Sequence, residues 1–176
     1  MPEPIHIRPA KPADSGALSL FAARVFPLGC PAHTRPADLE AFIATELSPQ
    51  RFDEYISAPC NRILIGDIAG RIAGYLMLVE ASTHQLVKSP RTLEVRKLYV
   101  DPLLHGQGVA EALMRTAATF FRGFDSVWLS VYSENARAIA FYKKWGFAII
   151  GRQHFLVGVD PQEDFIMERK AQACEE

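Results

Sequence analysis

The run from Leu93 to Phe121 constrains the fold most. L-E-V-R-K-L-Y-V (Leu93–Val100) reads as a strand, and D-P-L-L turns it into H-G-Q-G-V-A (105–110). That loop opens a helix, A-E-A-L-M-R-T-A-A-T-F-F. Gly106 and Gly108 carry no Cβ, so their backbone leaves room for a ligand. The first amides of a helix lack internal partners and sit at the positive end of its dipole. A phosphate is the natural guest, and the segment therefore predicts a phosphorylated cofactor.

With 176 residues, the chain has enough material for a single domain, 1–176, with a sizeable core. A formal net charge of −1 supplies no basic field, so neither nucleic acid nor an anionic membrane is expected as a partner. The start, M-P-E-P-I-H-I-R-P-A, has no apolar signal region, and no apolar run reaches the length of a membrane span. Cys30, Cys60 and Cys174 are odd in number and far apart, which argues against a disulfide framework and for a cytoplasmic protein.

Upstream, Ile5–Arg8 reads as a short strand. A helix follows with Asp14 as N-cap and Leu18, Phe21, Ala22 and Val25 at helical spacing. Thr34 is the candidate cap of a second helix bearing Leu39, Phe42, Ile43 and Leu47. Ser48-Pro49 starts a third with Phe52, Tyr55 and Ile56. Arg62–Gly66 and Ile72–Glu80 form a hairpin through D-I-A-G. Ser82–Arg91 is polar, contains Pro90 and reads as a mobile loop. Downstream, V-W-L-S-V-Y (127–132) is a buried strand, and Ser133-Glu134-Asn135 caps a helix that Gly146 stops. Phe147–Ile150, Gln153–Val157 and Phe165–Glu168 end the chain as three strands. The order implies an α/β domain on a mixed sheet.

Two nucleotide-binding readings fail. G-Q-G-V-A-E half-matches a dinucleotide fingerprint, but Glu111 holds the third glycine position, the motif lies past the chain's midpoint, and no acid ends the next strand. A P-loop would need G-K-[ST], which is missing. The order L-Y-V-D-P, H-G-Q-G-V-A, helix, then L-S-V-Y-S-E-N-A-R-A-I-A-F-Y-K-K-W-G-F closely resembles the GNAT superfamily of acyl-CoA-dependent N-acetyltransferases. In that family the loop has the form [QR]-x-x-G-x-[GA]. Gly108 and Ala110 match, and His105 replaces the usual Gln or Arg. The end, F-L-V-G-V-D-P-Q-E-D-F-I-M-E-R, resembles the narrower PaiA-like group of polyamine acetyltransferases.

The resemblance implies a mixed, mostly antiparallel, twisted sheet splayed at a cofactor slot, with helices on both faces. It implies acetyl-CoA as cosubstrate. The Leu98, Tyr99 and Val100 backbone would pair with the pantetheine arm. The amides of Gly106, Gln107, Gly108, Val109 and Ala110 would hold the pyrophosphate, with His105 at the loop's first position as a hydrogen-bond donor. Asn135 would contact the cofactor near its sulfur, and Tyr142 would aim its hydroxyl at that sulfur.

Acetylating an amine needs a neutral nucleophile. For a lysine-like amine with a pKa of about 10.4, deprotonation at pH 7 costs roughly 4–5 kcal/mol. Glu94 is the candidate base, since acids at this strand position serve so in family members. It reads equally as a salt-bridged glutamate beside Arg96 and Lys97. Tyr142 is the candidate acid for the departing thiolate, and a strand amide from Leu98–Val100 would steady the oxyanion. Direct transfer in a ternary complex is expected, without an acyl-enzyme.

Cys30 and His33 have nothing to orient them as a nucleophile pair, and the five scattered histidines imply no metal site. Arg91, Arg96 and Lys97 read as a solvated face or as contacts to the cofactor's 3′-phosphate. Glu40, Glu46, Asp53 and Glu54 supply acids near the acceptor side. The expected partner is a small-molecule amine, polyamine-like. Alternatives are a protein N-terminal or lysine acetyltransferase and a non-catalytic acyl-CoA-binding module. The C-terminal strands are available for pairing in a homodimer.

Overall fold

The computed structural model describes residues 3–157 and 160–171, without the side chains of 155–157 and 160; Cys174 lies outside them. Its strands are β1 (His6–Pro9), β2 (Asn61–Ile68), β3 (Arg71–Glu80), β4 (Thr92–Val100), β5 (Ser126–Tyr132), β6 (Ala148–Val157) and β7 (Asp160–Lys170). Its helices are α1 (Ser15–Val25), α2 (Pro36–Glu46), α3 (Pro49–Ser57), α4 (Val109–Ala118) and α5 (Ala136–Lys144). The strands form one mixed sheet in the order β1-β2-β3-β4-β5-β7-β6. β4 and β5 are parallel, while β1–β2, β5–β7 and β6–β7 are antiparallel.

Most helix boundaries follow local chemistry. Ser48 Oγ accepts the Arg51 N–H at 3.2 Å, and Pro49 fills the first position of α3, where a missing N–H costs nothing. Thr34 is not the cap expected of it: α2 begins at Pro36 with Arg35 before it. Asp14 does precede α1, yet its carboxylate turns back to Arg8 and the Lys11 N–H instead of capping α1. Ala69 and Gly70, both with positive φ, make the expected hairpin turn between β2 and β3.

Contacts divide the chain into two compact units: Met1–Leu78 with Lys97–Ala118, and Val79–Arg96 with Thr119–Glu176. In the first unit, adjacent β3 residues separate the helices. Tyr75 meets Phe21 of α1 and Phe52 of α3, whereas Gly74 lies against Val109 of α4. Neighbouring strand residues point to opposite faces, so helices cover both faces of this part of the sheet. That explains why Ala73–Leu78 is buried throughout.

In the second unit, Tyr142 of α5 packs edge-on against Phe147, which meets Phe121. Arg169 of β7 lies over Phe121 on that face. The even-numbered residues of β7 face the other way, where residues 81–91 lie. This segment is pinned, contrary to the mobile loop expected: Val87 packs with Trp128 and Ile166, and Trp128 Nε1 donates to the Ser82 carbonyl at 3.1 Å. The last two predicted strands before β7 are one strand, β6, with a bulge between Ile149 and Gly151 that sequence periodicity reads as a break.

Candidate active site

In the first unit the glycine loop is held at its entrance by Asp101. One carboxylate oxygen accepts the Leu103 N–H at 3.0 Å, and the other accepts Arg24 Nη2 at 2.8 Å. The Arg24 hydrogen bond is the main reason that the Asp101 carboxyl sits below its usual range, against the opposing effect of burial. Gly106 and Gly108 have φ of 78° and 87°, in the left-handed region. A Cβ at either would meet nothing within 4 Å, so their requirement is backbone conformation more than space. His105–Gly108 is exposed, and Val109, 1% exposed, anchors the start of α4.

Of the five amides expected to hold a pyrophosphate, Gln107 N–H is used by the turn itself, donating to the Leu104 carbonyl at 3.2 Å. Val109 and Ala110 lie in the first turn of α4, whose amides have no intrahelical acceptor. His105 Nε2 lies 3.2 Å from the Val100 carbonyl, so the ring nitrogen donates into the strand end. Leu98, Tyr99 and Val100 are only half-buried, unlike the fully buried Thr92–Val95.

Tyr99 stacks on Tyr75 at 5.7 Å and meets Phe26 edge-on. Phe26 stacks on Phe42 at 4.5 Å. Lys97 does not join a solvated cluster, for its Nζ lies 5.9 Å from the Phe42 ring centre and 5.7 Å from that of Tyr55. The acids of α2 and α3 are largely committed. Glu46 accepts from Tyr55 at 2.9 Å and from Arg51, Glu54 pairs with Arg51 at 2.6 Å, and Asp53 accepts from Ser15. The Cys30 thiol donates to the Phe26 carbonyl, and burial pushes it up to about 11, so it stays protonated and inert at neutral pH.

In the second unit, Tyr142 is buried, and burial alone drives its hydroxyl well above the ordinary phenol range. Asn135 Oδ1 accepts the Ala138 N–H at 3.1 Å, the N-cap of α5. Glu94 is 8% exposed and forms an ion pair with Arg96: Nη2 at 2.6 Å, Nε at 3.0 Å. Ser82 Oγ adds a third donor at 2.6 Å, and all three fall on Oε2. Arg91 pairs separately with Asp125 at 2.9 Å.

The sequence reading missed a polar chain on the same sheet face. His84 Nε2 meets Gln153 Oε1 at 2.9 Å, Gln153 Nε2 donates to Ser130 Oγ at 3.1 Å, and Ser130 donates to Asp164. Burial holds the Asp164 carboxyl above its usual range, with the Ser130 hydrogen bond opposing. Two signals were available: Ser130 interrupts an otherwise apolar strand, and Asp164 alternates with Ile166 and Glu168 on β7. Glu168 is also buried, and its Oε1 has no hydrogen-bond partner among the described residues. Among the described residues, no group of three or more His, Cys, Asp or Glu could hold a metal ion, and no helix is long and apolar enough to cross a membrane.

Comparison with known proteins assigns this architecture to the acetyltransferases. The chain belongs to the GNAT acetyltransferase family, whose model matches residues 31–147. It is 40% identical over 161 residues to an uncharacterized N-acetyltransferase of Mycobacterium tuberculosis, covering 89% of this chain and 97% of that one. The N-alpha-acetyltransferase RimI of the same organism is 30% identical over 139 residues, covering 77% of this chain and 84% of RimI. The fold matches the PaiA N-acetyltransferase of Thermoplasma acidophilum, solved with coenzyme A, at a TM-score of 0.75 and 21% identity, covering 96% and 99% of the two chains. The protein is therefore an N-acetyltransferase, and the reading as a non-catalytic module gives way to an enzyme.

Proposed function

We propose that the protein transfers the acetyl group of acetyl-CoA directly to a primary amine of a small, cationic, polyamine-like acceptor in the cytoplasm. The observation that carries the acceptor class is the face of the second unit with Glu94, Asp164 and Glu168 buried on it. Among the described residues, only Glu94 of the three meets a guanidinium. Burying carboxylates without cations is costly, and a multiply charged amine would offset that cost.

In this reading the backbone amides of Gly106, Gly108, Val109 and Ala110 hold the cofactor's pyrophosphate. Leu98–Val100 offers its backbone to the pantetheine arm, and Asn135 contacts the cofactor near its sulfur. Tyr142 serves the leaving sulfur. Its raised phenol stays protonated at any working pH, so its part is a hydrogen bond donated to the developing thiolate. Glu94, locked by Arg96 and Ser82, orients the acceptor's ammonium. An inert Cys30 agrees with transfer that skips an acyl-enzyme. The kinship with RimI supports a second reading, acetylation of a protein N-terminus.

The test is release of CoA thiol from acetyl-CoA across polyamines, aminoglycosides, amino acids and short peptides. The polyamine reading expects diamines and triamines to give the highest kcat/KM. Faster turnover of N-terminal peptides would replace it with the second reading.

A further inference from the structure

We propose that Ser130, backed by Asp164, is the proton acceptor for the attacking amine; this rests on the acetyl-transfer reading above. The hydrogen bonds run in one direction. The Leu86 N–H donates to His84 Nδ1 at 3.2 Å, so His84 is the neutral tautomer with its proton on Nε2. That proton points to Gln153 Oε1, the Gln153 amide points to Ser130, and the Ser130 hydroxyl points to Asp164. The run of donors ends on the Asp164 carboxylate, which accepts from Ser130.

Ser130 is the accessible link. It is half-buried, while Asp164 behind it is 8% exposed. A serine hydroxyl has one proton and two lone pairs. The proton goes to Asp164 and one lone pair to Gln153, leaving one lone pair for an incoming N–H. Ser130 lies two residues beyond Trp128, where the parallel pairing with Glu94 ends, on the sheet face that Glu94 shares. Glu94 is the weaker candidate because three donors already converge on its Oε2.

The proton balance closes. As the ammonium gives a proton to Ser130 Oγ, an N–H bond breaks and an O–H bond forms. The original Ser130 proton passes to Asp164 Oδ2 in the same event, so no alkoxide builds up. The neutral amine then attacks the acetyl carbonyl. Its second proton ends on the departing CoA sulfur, and Asp164 returns its proton to solvent. Among the described residues, the groups beside Asp164 are Tyr132 and Ser130 of β5, Gln153 of β6 with His84 behind it, and Gln162 along β7, while Glu168 shares the face four residues further along the strand. Burial raises the carboxyl, which suits a group that must take a proton near neutral pH.

The experiment measures kcat, both KM values and the pH profile of kcat for the wild type, S130A, S130T, D164N, the S130A/D164N double variant and E94Q, with the best amine of the panel. Expected are losses of about 10²–10⁴ in kcat for S130A and for D164N at unchanged acetyl-CoA KM. The double variant should be no worse than either single, S130T should recover much of the rate, and the acidic limb should vanish in D164N but survive in E94Q. A D164N or S130A enzyme keeping wild-type kcat and its acidic limb would overturn the proposal, as would a limb lost only in E94Q. Wild-type protein that acetylates no amine at all would instead remove the underlying reading and this one with it.

Discussion

Replacing Gly74 by alanine tests whether the backbone of Leu98–Val100 is a cofactor surface. The new Cβ would stand 2.7 Å from the Tyr99 carbonyl oxygen and 3.2 Å from both Val100 Cγ2 and Val109 Cγ1. Ordinary contact begins at 3.4 Å, so the Tyr99 carbonyl must retreat by 3.4 − 2.7 = 0.7 Å. That atom is main chain, so β4 moves as a strand and no rotamer relieves it. Its neighbour Val109 is nearly fully buried and anchors α4 after the glycine loop. Overpacking of this kind costs about 1–3 kcal/mol. For a chain of this length the fall in Tm is about 2–12 °C.

The informative part is the cofactor. A displaced Tyr99–Val100 backbone misaligns the main-chain bonds offered to pantetheine, and losing one such bond costs about 0.5–1.5 kcal/mol. Calorimetric titration of folded G74A with CoA should then show a Kd raised roughly 2- to 13-fold. G74A with a wild-type Tm would refute the packing argument. A lowered Tm with unchanged CoA affinity would refute the assignment of Leu98–Val100 to the cofactor.

Tyr142→Phe should lower kcat by about 10²–10⁴ while CoA binding, followed by titration, survives. Asp101→Asn should destabilise by about 0.5–1 kcal/mol at neutral pH, a value kept low because Arg24 is half-exposed. Asp101 is depressed in the folded state, so this difference exists above the ordinary carboxylate pKa and disappears as pH falls through the folded value; denaturation curves of both proteins at pH 7 and pH 3 check it. Exposed Cys60 should alkylate well before Cys30 at pH 8, as peptide mapping by mass spectrometry would show; equal rates would contradict the half-buried, protonated thiol.

Local sequence was enough for whatever neighbouring residues decide. The Leu93–Phe121 run specified strand, turn, loop and helix, because glycine at a left-handed position and proline after an aspartate leave the backbone few choices. Ser48, Asn135 and Gly146 marked helix ends for the same reason. That the Gln107 N–H closes its own turn on Leu104 was not legible locally, since whether an amide points outward or back into its turn depends on φ and ψ across several residues.

The sequence by itself determined the family, the loop and the residues expected to meet acetyl-CoA, all of them carried by contiguous motifs. Only the tertiary structure decided which acids are spoken for. Glu94 sits beside Arg96 in the chain, but Ser82 reaches it from twelve residues away, and Ser130, Gln153 and Asp164 come from three different strands. A buried carboxylate's chemistry is set by the donors around it and by its loss of water, and strand pairing assembles both.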